Sequence, residues 1–459
     1  MWYFIIKRAV LVIPTLIVVL ISAFLMSKLV PGDEAESLMN LQGIHPDSPN
    51  FASIYEKHYK TLNLEKPLFY FALVPDFYPE NIRSIINQSD RNQIKEFLHQ
   101  KIAFDKAWAY LNARKALSAG ILNKPESTSD TLGEMKNMIA TLNFVTDVPS
   151  IHQQWKAISP RFKTMHVDSA PMDDIVENLV PQKSYFPSFR WHGSNNQFHL
   201  WASNLRSGNL GTSIKDGLPV SKKIASAFQW TFFLSLLNLL ISVLIAIPTG
   251  MMAGFKTGSW FDRISGSFWL MMYAIPSFWL ASVLIVYCTS DKYGAWLNIF
   301  PIPGSWYIPS GQGFFTTLSQ YGKQLILPIV CLVANDIAHI SRLVRTNVVQ
   351  QRSKLYVLMA MAKGTKPKNI VFHHVFPNVL IPMITVIGGK LAAGFSGALI
   401  IEVIFNIPGM GRLMFESIYN ADWNVVFGIL LIISFITLIT MLISDILYSY
   451  VNPKIDFES

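Results

Sequence analysis

Six stretches of this chain, at about 9–30, 225–254, 264–289, 323–344, 378–404 and 425–450, are mostly apolar and about 20 residues long or longer. That feature leaves few folds open. A helix rises about 1.5 Å per residue, so roughly 20 residues cross a hydrocarbon core ~30 Å thick. Backbone polar groups left unpaired in lipid are costly, and a helix pairs them internally. The expectation is an all-α polytopic membrane protein with six transmembrane helices.

Residues 31–224, between the first two runs, read like a water-soluble chain, so the 51% hydrophobic content of the 459 residues averages over two solvents. Three parts follow: 1–30, a short N-terminus and the first transmembrane helix; 31–224, a mainly helical soluble insertion; and 225–459, a five-helix membrane core. The first run lies behind Lys7 and Arg8 and is too long for a signal-peptide core. Pro31-Gly32-Asp33 follows it without a cleavage pattern, so it reads as a retained span. Within the insertion, Ile94, Leu98 and Ile102 recur at helical spacing behind the cap residues Ser89 and Asp90. Further helical patterns cover 107–119, 134–142 and 171–179, and proline-rich breaks punctuate 74–79 and 185–187. Trp108, Trp155, Trp191 and Trp201 are expected to pack in a core or interface rather than to line a ligand groove.

The formal charge is +9, yet acids and bases nearly balance across 31–224, so the excess belongs to the membrane half. Lys256, Arg263, Arg342, Arg345, Arg352, Lys354, Lys363, Lys366, Lys368 and Lys454 fall on one side if the N-terminus is cytoplasmic. Lys222, Lys223 and Lys323 are the main exceptions on the other. Cytoplasmic loops carry such a surplus. Both termini are therefore expected in the cytoplasm and 31–224 outside it, with membrane lipid as a partner. No basic and aromatic stripe accompanies the charge, which argues against nucleic acid. The two cysteines, Cys288 and Cys331, sit in apolar runs and build neither a disulfide framework nor a zinc site. The adjacent His373 and His374 point about 100° apart on a helix, unlike an i, i+4 zinc pair. No cofactor or metal is expected.

The most informative segment is 353–377. Leu355, Leu358, Met359 and Ala362 make an apolar strip on a helix too short to span a membrane. Gly364 offers the left-handed conformation that ends a helix, and Pro367 restarts the chain. Two short helices joined by a tight turn form a knob suited to a groove on another protein. Here the chain resembles the integral-membrane permeases of ABC importers, in the branch that handles dipeptides, oligopeptides and nickel. Their cytoplasmic loop reads Glu-Ala-Ala, three residues, Gly, nine residues, Ile, any residue, Leu-Pro. Leu358, Met359 and Ala360 stand at its leading positions, Gly364 at the glycine, His374 at the isoleucine and Phe376-Pro377 at the close. Only Ala360, Gly364 and Pro377 match strictly, and Tyr356 with Ala362 and Lys363 resembles the peptide-permease version.

The resemblance extends through Val30-Pro31-Gly32-Asp33, Gly208-Asn209-Leu210-Gly211, Ile275-Pro276-Ser277-Phe278 and Glu402 to Arg412, and it closes with Asp445-Ile446-Leu447-Tyr448 and Asn452-Pro453. It omits about 76–195. It implies a permease subunit in the bacterial inner membrane, with 345–377 as the loop gripped by an ABC ATPase subunit. It also implies a second homologous permease, an extracytoplasmic solute-binding protein, and peptides as the leading solute ahead of nickel chelates or small oligosaccharides.

Nothing in the sequence offers the chain its own chemistry. Gly322-Lys323 and Gly389-Lys390 lack the earlier glycine of a phosphate-binding loop, so ATP hydrolysis is expected on partner subunits. Ionisable groups within spans are expensive and face a bundle interior or a water-filled path. Asp336, His339, Lys390 and Asp445 are therefore candidates for the translocation path. Two other classes compete. A membrane-anchored sensor or enzyme would need catalytic spacing in 31–224, where none of the strong patterns occurs. An ion-coupled secondary carrier would be expected to contain duplicated halves, which are not evident.

Overall fold

The computed structural model describes residues 2–30, 33–45, 48, 50–122, 137, 139–142, 145, 147–164, 169–182, 186–294, 296–301, 304 and 314–451. The chain divides into two compact units, one of Met1–Pro31 with Gly208–Ser459 and the other of Gly32–Ser207. The first unit opens with α1 (Trp2–Leu29).

The second unit holds α2 (Glu34–Leu41), α3 (Phe51–Thr61), β1 (Phe71–Pro75), α4 (Gln88–His99), α5 (Phe104–Leu122), α6 (Val148–Thr164), α7 (Ala170–Glu177), β2 (Pro187–Trp191) and α8 (Gln197–Arg206). Ile94, Leu98 and Ile102 are buried, as their spacing predicts, and meet Tyr110, Leu111, Ile151 and Phe162 in one core. The cap of α4 is Asn87, whose side chain accepts from the Asp90 N–H, so Ser89 and Asp90 lie inside the first turn rather than before it. Of the pattern at 134–142, residues 137 and 139–142 are described; they are helical, and Ile139 and Leu142 join this core. The two strands form an antiparallel ladder pairing Phe71 with Trp191 and Leu73 with Phe189, which sequence periodicity does not announce. Trp155 is buried and donates to Asp173 at 2.8 Å, while Trp108 stacks on Phe104 and Trp201 lies against Phe198. Trp191 is exposed on the sheet. Near the start of the unit, the buried Arg91 donates to Asp33, to Tyr55 and to the Ile85 carbonyl. Burial and the Asp33 hydrogen bond push the Tyr55 hydroxyl well above its ordinary pKa.

The first unit resumes with α9 (Val220–Phe255), α10 (Trp260–Ala274), α11 (Ser277–Cys288), α12 (Phe314–Arg352), α13 (Leu355–Ala362), α14 (Phe376–Phe395), α15 (Leu399–Ile404), α16 (Met410–Tyr419) and α17 (Trp423–Val451). Among the described residues, five helical segments are long and apolar enough to cross a membrane: Val10–Leu29, Val220–Phe255, Tyr321–Arg352, Pro367–Phe395 and Trp423–Leu447. The expected run at 264–289 is not one straight helix. It is the pair α10 and α11, bent by 91°, because Pro276 has no N–H to continue the ladder and pushes Ile275 into an extended conformation. The expected run at 378–404 also divides. α14 ends at Phe395, and Gly397 takes φ +88°, after which α15 starts afresh.

α9 crosses α12 closely. A Cβ on Gly250 would lie 2.5 Å from the Ser341 carbonyl oxygen, and one on Gly254 would lie 2.6 Å from the Val348 Cβ. Small residues at such crossings let backbones approach and gain dispersion contacts where lipid offers no hydrophobic drive. Gly250→Leu is expected to destabilise the folded chain by about 1–3 kcal/mol through overpacking. Thermal unfolding of the detergent-solubilised protein reads this, with Gly266→Leu as a control because open space surrounds that position.

Candidate functional site

The segment 345–377 is a knob rooted in the core. α12 ends at Arg352, the chain turns at Ser353 and Lys354, and α13 follows. Gly364, at φ +76°, closes α13 by a paired motif in which its N–H reaches the Met361 carbonyl and the Thr365 N–H reaches the Ala360 carbonyl. Pro367 opens the next turn, and a wider π-helical stretch at Ile370–Val375 leads into α14, with Pro377 in its first turn. Val357, Ala360, Ile370 and Val375 are buried and anchor the knob. Leu355 (78% exposed) and Met359 (61%) face outward, together with Leu358 and Phe372. Ala362 and Lys363 are exposed beside them, whereas Ala360 faces inward. The Tyr356 hydroxyl donates to Gln351 Oε1 at 2.8 Å, and partial desolvation holds its pKa above the ordinary value.

The root is braced from the side. Arg345 makes a two-pronged ion pair with Asp262 at 2.5 and 2.9 Å, and Asp262 also accepts from the Gly258 N–H. Arg352 donates to the Phe255 carbonyl at 2.7 Å. The short 256–259 connection is thereby tied to the last turns of α12.

Deeper in the same unit, Asp336 on α12 and Lys390 on α14 form an ion pair at 2.5 Å. Asn238 on α9 donates to the other Asp336 oxygen at 2.7 Å, and the Ser242 hydroxyl supports Asn238. Spacing alone puts Asp336 beside His339, but the structure joins it to Lys390. Two charges in a bundle are tolerable when each finds its counter-ion and the remaining lone pairs find donors. His339 faces a cavity of about 650 Å³, lined also by Tyr273, the 274–276 break, Asn335 and Lys390. Asp445 is partly buried on α17, next to the Ser444 that packs on Gly388, and does not line this cavity.

A third arrangement escaped sequence reasoning. Glu402, 1% exposed, accepts from the Thr231 hydroxyl at 2.9 Å and from the Arg412 N–H at 3.0 Å. Thr231 in turn accepts from the Met410 N–H, and the Arg412 guanidinium reaches the Asn406 carbonyl. Gly409 and Gly411 leave this carboxylate its space, since a Cβ on Gly409 would lie 2.5 Å from it. The legible signal is one acid in an apolar run followed by Pro408-Gly409-Met410-Gly411-Arg412.

Long apolar helices, a bent pair and a protruding, well-rooted knob mark a multi-pass membrane protein. Residues 246–457 match the family described as binding-protein-dependent transport system inner membrane component. A probable peptide ABC transporter permease of Sinorhizobium fredii is 32% identical over 261 residues, covering 57% of this chain and 80% of that protein. An inner membrane ABC transporter permease of Escherichia coli O157:H7 is 34% identical over 267 residues, 57% of this chain and 69% of its own length. An oligopeptide transport system permease of Bacillus subtilis is 30% identical over 292 residues, 62% of this chain and 90% of its own. The chain belongs to this family of inner-membrane ABC importer permeases. It is a multi-pass inner-membrane protein, and its family works with ATPase and solute-binding partners.

Proposed function

We propose that this chain is a translocation subunit of an ATP-driven importer of di- or oligopeptides. The outward-facing apolar surface of α13 on a buried root carries the reading, since it offers a partner something to grip and transmits force to α12 and α14. In this reading 345–377 lies in the cytoplasm and is held by an ABC ATPase subunit. Tyr356, Leu358, Met359, Ala362 and Lys363 form the contact face, while Ala360, Gly364 and Pro377 shape it. The bent α10–α11 pair counts as one crossing, giving six, with both termini inside. Residues 31–224 lie outside as an insertion that helps dock the solute-binding protein. A second homologous permease completes the path, to which Asp336, His339 and Lys390 contribute, with Asp445 at its edge. The names of the relatives support peptides as the solute.

Two measurements test this. Thr365→Cys, beside the exposed turn of the knob, is expected to react with a membrane-impermeant thiol reagent only from the cytoplasmic side; labelling from outside overturns the topology. Vesicles carrying the chain with its partner subunits are expected to accumulate a labelled tripeptide only when ATP is supplied to the cytoplasmic face.

A further inference from the structure

The Asp336–Lys390 pair is asymmetric. Asp336 is held on both oxygens, by Lys390 on one and by Asn238 on the other, and its side chain is 16% exposed. Lys390 gives Asp336 one of its three N–H donors and is 33% exposed on a flexible four-carbon stem. The acid is fixed and the ammonium is available. Lys390 lines the cavity of about 650 Å³ and Asp336 does not, so Lys390 is the one lysine or arginine, and no carboxylate stands, among the described lining residues. Asn335 and His339 line the same cavity from one face of α12, four residues apart, and both side chains can donate a hydrogen bond. The volume falls within the range of about 300–1,000 Å³ common for small-ligand sites. A lysine with further hydrogen-bond donors around it selects an anionic group on the ligand.

We propose that Lys390 recognises the free C-terminal carboxylate of the peptide as it passes through this cavity, with Asp336 as the internal counter-ion that holds Lys390 in place until a peptide arrives. This rests on the peptide-importer reading above. Every unblocked peptide carries that carboxylate, so the contact serves peptides of any sequence. The Lys390–Asp336 bond need not break completely, because the remaining N–H donors reach the incoming group while Asn238 keeps its hold on Asp336.

The test uses vesicles carrying the whole transporter, this chain with its partner subunits. Uptake of trialanine is compared with uptake of trialanine amide and of Ala-Glu-Ala amide. Lys390→Met is expected to lower the preference for trialanine over its amide by roughly tenfold, the size of one lost charge-assisted hydrogen bond, with both uptake rates normalised to the folded transporter in the vesicles. Lys390→Arg is expected to keep the preference, and Asp336→Asn, which releases Lys390, to raise it. An unchanged preference in Lys390→Met, or equal loss of both peptides, overturns the proposal; so does an Asp336→Asn preference that falls to the Lys390→Met value. Lys390-dependent uptake of Ala-Glu-Ala amide as good as that of trialanine assigns the contact to side-chain carboxylates and overturns the C-terminal assignment. Wild-type uptake that needs no ATP sinks the importer reading instead, whatever the peptide ratio.

Discussion

Leu358→Glu combined with Met359→Glu is expected to reduce ATP-driven peptide uptake by roughly a hundredfold while leaving the chain folded in the membrane. Both side chains are exposed on α13, whereas Val357 and Ala360, which make the root, are buried. Glutamate forms helix well, and the closing hydrogen bonds at Gly364 and Thr365 use backbone alone. The folded state therefore loses little. The partner's groove loses much: apolar anchors at the centre of an interface contribute about 2 kcal/mol or more each, and burying two unpaired carboxylates adds a desolvation penalty. A deficit of about 3 kcal/mol already corresponds to roughly a hundredfold in affinity. Peptide accumulation in vesicles reads the loss of transport, and co-purification with the ATPase reads the loss of grip. Near-normal values for both would show that α13 is not the gripped surface. Val357→Ala makes a useful contrast, because it loosens the root and is expected to lower thermal stability as well as uptake.

The membrane helices were legible because their signal is continuous: long apolar runs need no partner to be recognised. Where the runs broke, the residues responsible were local too. Pro276 and Gly397 mark the interruptions, but a hydropathy reading averages across them and returns one long span in each case. The knob was legible for the same reason, since Gly364 and Pro367 act on their immediate neighbours. Long-range pairings were not legible. β1 finds its partner across more than a hundred residues, and nothing in the Phe71–Pro75 sequence specifies Pro187–Trp191. Its place in an apolar run marks Asp336 in the sequence, yet its partners Lys390 and Asn238 come from two other helices and only the packing of α9, α12 and α14 brings them together. Glu402 stands in a stretch that carries the family resemblance, but its role depends on Thr231, over a hundred residues earlier in the chain.

That carboxylate sets the second large effect. Glu402→Ala is expected to destabilise the folded chain by about 3 kcal/mol or more. Hydrogen bonds to a charged group contribute about 1.5–3 kcal/mol each, and the substitution removes those from Thr231 and from the Arg412 N–H at once. Replacement by alanine also leaves a cavity between α15 and the 405–411 turn, with buried donors facing it. The local consequence should exceed the global one, because the turn is held by this carboxylate and by Arg412 reaching back to Asn406. Limited proteolysis is therefore expected to cut near Asn406 in Glu402→Ala before the helices unfold, together with a lower apparent melting temperature in detergent. Glu402→Gln separates charge from shape: its amide oxygen accepts one of the two donors, but its NH₂ faces the other, so an intermediate loss is expected. Gly411→Ala removes no hydrogen bond, yet its Cβ would sit 2.6 Å from the Leu399 Cα and force the turn away from α15. If Gly411→Ala opens the same proteolytic site as Glu402→Ala, the turn is held by close approach and hydrogen bonding together. A Glu402→Ala protein as stable and as resistant to cleavage as the wild type would mean that the apolar contacts of Ile401, Phe405 and Ile407 suffice to hold it.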